Sequence, residues 1–264
     1  MNEDMLIRYL EQYDPMELFY HAHSTKLKHP SDFLDLLVSQ DPETLRSSSC
    51  VLLEYTGDSR LRLLLNPYCP DGMGQRNVRL VRLCRCVPVF AHTHNYFEIL
   101  YVLRGSCRHR TARQVCQMEE GDLMLVSPSV CHSVYAGSHD LIISILISSD
   151  LIEILFSAAL RGRDSVSDFL RNSIFQKDYA SWLLFHTAGD EEIRRQILDM
   201  YLEEFQADEY ADRIIASMLS VFFIKLTRKY KRSVEIPVSA PPSPCRNRLY
   251  PPISAGKLRY RLFG

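Results

Sequence analysis

Fourteen residues, His92 to Gly105 in the order His-Thr-His-Asn-Tyr-Phe-Glu-Ile-Leu-Tyr-Val-Leu-Arg-Gly, set the tightest limits on what this chain can fold into. Their second half, Phe97 to Leu103, is an almost unbroken apolar and aromatic run that stops at Arg104-Gly105. That pattern predicts a strand buried on both faces, then a turn. Their first half places His92, His94 and Glu98 at even spacing. Alternate side chains of a strand share a face, so these three can point the same way. Two imidazoles and a carboxylate converging on one space are a candidate metal site. A second stretch, Gly121 to His132, repeats the plan of turn, apolar strand, turn and histidine.

Around these stretches the chain reads as an ordinary globular protein. Apolar residues make up 46% of the 264, charged residues 24%, and the net charge is -1. That balance does not mark the whole chain as a nucleic-acid or membrane binder. No apolar run approaches the about 20 residues of a membrane span. Met1 to Tyr13 is acidic and amphipathic, unlike a leader. The eight cysteines contain no Cys-x-x-Cys pair, which disfavours a zinc ribbon. Without a leader they suggest reduced, mostly buried thiols and a cytoplasmic location.

Taken in order, residues 2–12 carry Met5, Leu6, Tyr9 and Leu10 at helical spacing. His21, His23 and His29 follow, but lysines interleave them and no carboxylate lies among them, so they make a poor metal set. Ser31 to Gln40 reads as a helix capped by Ser31. Val51–Tyr55 and Leu61–Leu65 read as strands. In Val78 to Val87, Arg79, Arg82 and Arg85 recur every third residue. A strand splits them between its faces, and solvated arginines on an outer or edge strand are a better reading than a nucleic-acid surface. Ser106–Thr111 and Val115–Met118 form a predicted hairpin. Ser133–Tyr135 and Leu141–Ile147 complete a set of short strands typical of a sandwich or barrel.

After residue 148 the period changes. Ser149-Asp150 caps a helix, and Asp164–Phe175 is another. Ala180–Phe185 is a short apolar segment of strand character. Asp190 opens a helix to about Phe205, and Asp208 one to about Lys231, both striped with apolar residues. Such a hairpin needs surface beyond its own pair, either the barrel or a second subunit. From Ser233 the period is lost. Six of the thirteen prolines lie between Pro237 and Pro252, and Arg246, Arg248, Lys257, Arg259 and Arg261 stand unopposed. This predicts a loosely attached basic tail.

The two histidine stretches resemble the paired motifs of the cupin barrel. The first matches from His92 through His94 and Glu98 to Gly105, although Cys86 stands where the motif's leading glycine belongs. The second matches at Gly121 and His132 but has Ser127 and Ser129 in place of the usual proline and glycine, and Ala136 where asparagine is frequent. The resemblance implies His92, His94, Glu98 and His132 as the positions that hold metal in enzymatic cupins. A cupin barrel followed by a helical hairpin is in turn similar to the sensor and dimerisation part of AraC-type transcription regulators, over roughly residues 50–231.

These readings give an α+β chain, a cupin-like β-barrel (jelly roll) followed by a helical hairpin. Its parts are an N-terminal helical segment (1–49), a cupin-like effector-binding barrel (50–148), a helical dimerisation region (149–232) with Ile214, Met218 and Phe222 at the interface, and the basic tail (233–264). The resemblance implies a ligand-sensing, dimerising regulator with a small-molecule effector and no required cofactor, although a divalent metal is possible. Its partner is a second copy or a full-length relative, which would make this chain a decoy. Family members continue into two helix-turn-helix units where the proline-rich tail stands here. The expectation is therefore a regulator that meets DNA only through a domain it lacks, and has no membrane partner. A frameshift near Ser239 would explain the change, and a helix-turn-helix in another reading frame would test it. The alternative is a small cupin metalloenzyme, an isomerase or dioxygenase, with His92, His94, Glu98 and His132 on the ion. Otherwise these residues line an effector pocket or pair structurally. No further nucleophile–base set presents itself.

Overall fold

The computed structural model describes residues 2–23, 52–56, 60–64, 76–86, 94–111, 114–155, 163–176, 179, 181–206 and 208–237. Among them lie α1 (Glu3–Glu11), α2 (Pro15–His23), β1 (Leu52–Thr56), β2 (Arg60–Leu64), β3 (Val78–Arg82), β4 (Phe97–Arg104), β5 (Ser106–Thr111), β6 (Val115–Glu119), β7 (Leu123–Val126), β8 (His132–Tyr135), β9 (Leu141–Ile147), α3 (Ser149–Leu155), α4 (Ser165–Phe175), β10 (Trp182–Phe185), α5 (Glu191–Gln206) and α6 (Ala211–Tyr230). The helix expected at residues 31–40 and the basic tail beyond residue 237 fall outside the described residues, as does His92.

The mixed α+β class holds. A five-stranded antiparallel sheet runs β10-β7-β4-β9-β3, and a three-stranded one runs β6-β5-β8. Among the described residues these two sheets stay open rather than closing into a ring. β1 and β2 form a separate antiparallel hairpin.

Alternation explains the layers. On β4, Phe97, Ile99, Tyr101 and Leu103 join one core cluster, and Leu100 and Val102 the other. β7 and β10 divide the same way: Leu123, Leu125, Leu183 and Phe185 on one side, Met124, Val126, Trp182 and Leu184 on the other. The five-stranded sheet is therefore a shared wall. One face packs on the helices, through residues such as Leu6, Phe169, Ile197 and Phe222. The other faces the three-stranded sheet, which supplies Cys107, Cys116 and Met118. A strand walled on both sides needs no polar alternation, which is why β4 and β9 read as continuous apolar runs. β10 enters this sheet from beyond residue 148, paired with β7 from Trp182↔Val126 to Phe185↔Leu123.

The α5–α6 hairpin also finishes the sheet edge. Glu204 accepts from the Leu80 amide at 3.3 Å, and Asp212 from the Val78 amide at 3.1 Å. Two carboxylates thus occupy outward-facing amides of edge strand β3, a device that blocks edge-to-edge pairing.

The arginines of this strand differ from expectation. β3 is an edge strand, but its arginines are not simply solvated. Arg79 pairs with Glu204 at 3.0 Å. Arg82 and Arg85 converge on Glu17 of α2, with Arg85 Nε 2.9 Å from Oε1, and Arg85 is only 2% exposed. Its Nη groups donate to the carbonyls of Glu11 and Gln12, and its guanidinium lies 4.1 Å from the centroid of the Tyr13 ring. Helix α2 was unforeseen in the sequence. Its signal is Asp14-Pro15-Met16-Glu17: the Glu17 amide donates to Asp14 at 2.8 Å and the Asp14 amide to Glu17 at 3.0 Å. That is a reciprocal capping box with proline at the first helical position. The thiols also depart from a fully reduced set, since Cys131 is disulfide-bonded while Cys84, Cys86, Cys107 and Cys116 are free. Burial pushes the Cys84 and Cys107 thiols up to about 12, which keeps them unreactive.

Candidate functional site

Between the two sheets most inward side chains are apolar, and one end is polar. Glu98 of β4 and Ser144 of β9 face inward from the large sheet, both buried, and the Ser144 hydroxyl donates to Glu98 Oε1 at 2.5 Å. Across from them stand His132 of β8 and His109 of β5, 0% and 1% exposed. His94 enters from the segment before β4. A carboxylate this deeply buried needs donors around it. Its Oε2 lies 3.4 Å from His94 Nε2 and 3.8 Å from His132 Nε2.

The imidazoles are themselves held. His94 Nδ1 lies 2.7 Å from the carbonyl of Tyr96, and its ring stacks on that of Tyr96 at 4.3 Å. A carbonyl only accepts, so His94 Nδ1 donates to it and Nε2 is the nitrogen turned toward Glu98. His132 Nδ1 lies 2.9 Å from His109 Nε2, so one of these two nitrogens donates to the other. His109 meets the edge of Trp182, with ring centroids 6.2 Å apart. His94 Nε2, His132 Nε2 and Glu98 Oε2 all lie within 4.8 Å of one another, a set that could hold a metal ion.

Three of the four residues singled out in the sequence, His94, Glu98 and His132, are thus brought together, and the fourth, His92, lies outside the described residues. Sequence reasoning missed two members, His109 and Ser144. The alternation of β5, with Cys107 and His109 on the inward side and Arg108 and Arg110 outward, was the available signal for the histidine.

The turn that delivers His132 keeps its geometry despite lacking glycine. Ser129 adopts φ 65, and its amide donates to the carbonyl of His94 at 2.9 Å. That bond ties the β7–β8 turn to the start of the first stretch, so both histidine-bearing segments are positioned together.

Residues 87–145, which contain β4 through most of β9, match the family model for the AraC-like ligand binding domain. This segment is similar to the AraC-like ligand binding domain. A search of the curated proteins returned no match. Among solved structures, the chain is similar to apo ToxT from Vibrio cholerae at 16% identity and a TM-score of 0.40, covering 58% of this chain and 56% of that one. It is similar to the AraC-like transcriptional activator CuxR at 9% identity and a TM-score of 0.39, covering 64% and 54%. A cupin-2 domain protein from Shewanella frigidimarina aligns at 16% identity and a TM-score of 0.23, covering 47% and 96%. The chain spans little more than half the length of the two regulators. No helix among the described residues is long and apolar enough to cross a membrane.

The residues expected at a dimer interface are spread around α6. Phe222 is 0% exposed and belongs to the core beneath the large sheet, and Met218 packs against that core from its margin. Ile214 is 41% exposed, with Val221 at 51% and Ile224 at 55%.

Proposed function

We propose that this chain is the ligand-sensing and dimerisation part of an AraC-type transcription regulator, working in the cytoplasm. In this reading His94, Glu98 and His132 hold the polar end of a small-molecule effector between the sheets. The sequence adds His92 to that set. Leu100, Met118 and Met124 surround its apolar part. The observation that carries the reading is a cluster of buried polar side chains at one end of an otherwise apolar interior, inside the ligand-binding segment. Small-molecule sites have that composition, an apolar lining with a few placed polar groups. Effector binding shifts a pre-existing equilibrium, and the hairpin passes the shift to a partner. That partner is a second copy or a longer relative. Ile214, Val221 and Ile224 recur at seven- and three-residue intervals, as one face of a helix does, and offer the apolar stripe for it. Reading of DNA falls to helix-turn-helix units and not to the residues described here.

A divalent metal in the same cluster is the second reading, and one observation favours it. The donor atoms of His94, His132 and Glu98 already face one another, with the His94 tautomer set by the Tyr96 carbonyl, as metal-binding histidines are set by their outer hydrogen bonds. These three residues would hold the ion, which would supply a Lewis-acidic anchor for an oxygen ligand.

Native mass spectrometry with elemental analysis of the untagged chain separates the two readings. A bound organic mass lost in Glu98→Gln supports the effector site, and a stoichiometric divalent ion lost in His94→Ala supports the metal. Binding of both kinds unchanged in these variants would refute the site.

A further inference from the structure

β10 belongs to two structures at once. Trp182 and Leu184 face the interior beside Met124, Val126 and His109. The outer edge of the same strand holds the chain leaving α6. The Leu184 amide donates to the Glu235 carbonyl at 2.9 Å, and the Glu235 amide to the Leu184 carbonyl at 2.8 Å. This is an isolated bridge, not a strand. One side chain fastens it. His186 Nδ1 lies 3.0 Å from Asp122 Oδ1, and its Nε2 lies 3.3 Å from Glu235 Oε2. The end of α6 is tied to the turn that follows β10, since the Tyr230 hydroxyl donates to Asp190 at 2.7 Å and lies 3.4 Å from the Thr187 carbonyl.

We propose that residues 234–237 form a releasable strap on β10, clasped by His186, through which occupancy of the interior reaches the chain following α6. The inference rests on the sensor reading above and names how that site is read out. The strap has the composition of a part that opens. It contributes one bridged residue pair to the sheet, Val234 packs only at the core's margin, and Ile236 is 41% exposed. The clasp is half-exposed at His186 and Glu235, so its ion pair adds little. Segments held by so few buried contacts open locally without global unfolding. Anything that pushes on Trp182 or Leu184 from inside moves the backbone atoms that hold Glu235.

Amide hydrogen exchange on the full chain tests this with His186→Gln and Trp182→Phe. His186→Gln is expected to speed exchange of the Leu184 and Glu235 amides by about two- to fivefold, and Trp182→Phe by at least as much, while β4 and β9 amides keep wild-type protection. Unchanged exchange in His186→Gln overturns the clasp. Unchanged exchange in Trp182→Phe overturns the link to the interior. Uniform loosening of every strand makes the contact merely structural and overturns the proposal. Neither variant needs a ligand, so failure of the sensor reading, seen as an interior that binds nothing, is read separately.

Discussion

At the scale of single residues, three positions show how local conformation and burial set stability. Ser129 is exposed and left-handed. That conformation costs a non-glycine residue about 1–2 kcal/mol, against about 0.5–1 kcal/mol of extra chain freedom lost on placing a glycine. Ser129→Gly is therefore expected to stabilise the fold by up to about 1 kcal/mol, read as a higher urea midpoint at constant slope. Gly121 is the converse case. At φ 90 a Cβ there would sit 2.3 Å from the Gly189 amide nitrogen, and backbone cannot step aside cheaply. Gly121→Ala should cost about 2–4 kcal/mol by the same measurement. Glu17 is buried beneath two guanidinium groups. Burial alone would raise its pKa, but hydrogen bonds from Arg85 and Arg82 outweigh that and hold it below the ordinary 4.5. A lowered carboxylate stabilises above its unfolded value and loses that contribution as pH falls through the folded one. Denaturation at pH below 4.5 should therefore be blunted in Glu17→Gln, which itself loses about 3–5 kcal/mol at neutral pH because the Arg85 guanidinium stays buried without its countercharge.

At the scale of elements, legibility followed periodicity. The β5–β6 hairpin, α5 and α6 were readable because their apolar residues repeat at 2 or 3.6 residues, and β9 because it is a short, nearly unbroken apolar run. Helix α2 was not, because its apolar residues lack the clear stripe of α1, a helix of equal length, and its start is written in a capping box. The arginines of β3 were misread for a physical reason: a strand pattern tells which face a side chain takes, not which distant carboxylate will meet it. The His94, Glu98 and His132 cluster was legible from spacing and family likeness, whereas His109 and Ser144 depend on how two sheets stack. Phe222 and Ile214 share one helical stripe in the sequence, and only packing on the sheet separates the buried residue from the exposed one. That separation gives opposite expectations. Phe222→Ala should destabilise the monomer by about 3–5 kcal/mol. On the dimer proposed above, Val221→Asp with Ile224→Asp should leave the fold intact and give a monomer in sedimentation where the wild type gives a dimer. A dimer that survives the double change would place the interface elsewhere. At the strap, burial lowers the His186 pKa, but the Asp122 and Glu235 carboxylates overcome it and hold the imidazole above 6.5. A raised histidine contributes below 6.5 and is lost as pH rises through its folded value, so protection of the Glu235 amide should weaken on the alkaline side.

At the scale of the whole molecule, one sheet serves two purposes. Its helical face packs on the hairpin and its inner face carries the candidate site, so a single layer of backbone separates the two. Trp182, the only tryptophan, sits in that layer beside His109 and reports on it directly. Trp182 emission during titration with small polar effectors and with Zn2+, in wild type and in Glu98→Gln, is the most direct test that the interior is a ligand site. The account expects a saturable change for at least one of these that Glu98→Gln abolishes while remaining folded. A folded wild-type chain that responds to none of them, or whose response survives Glu98→Gln, would contradict it.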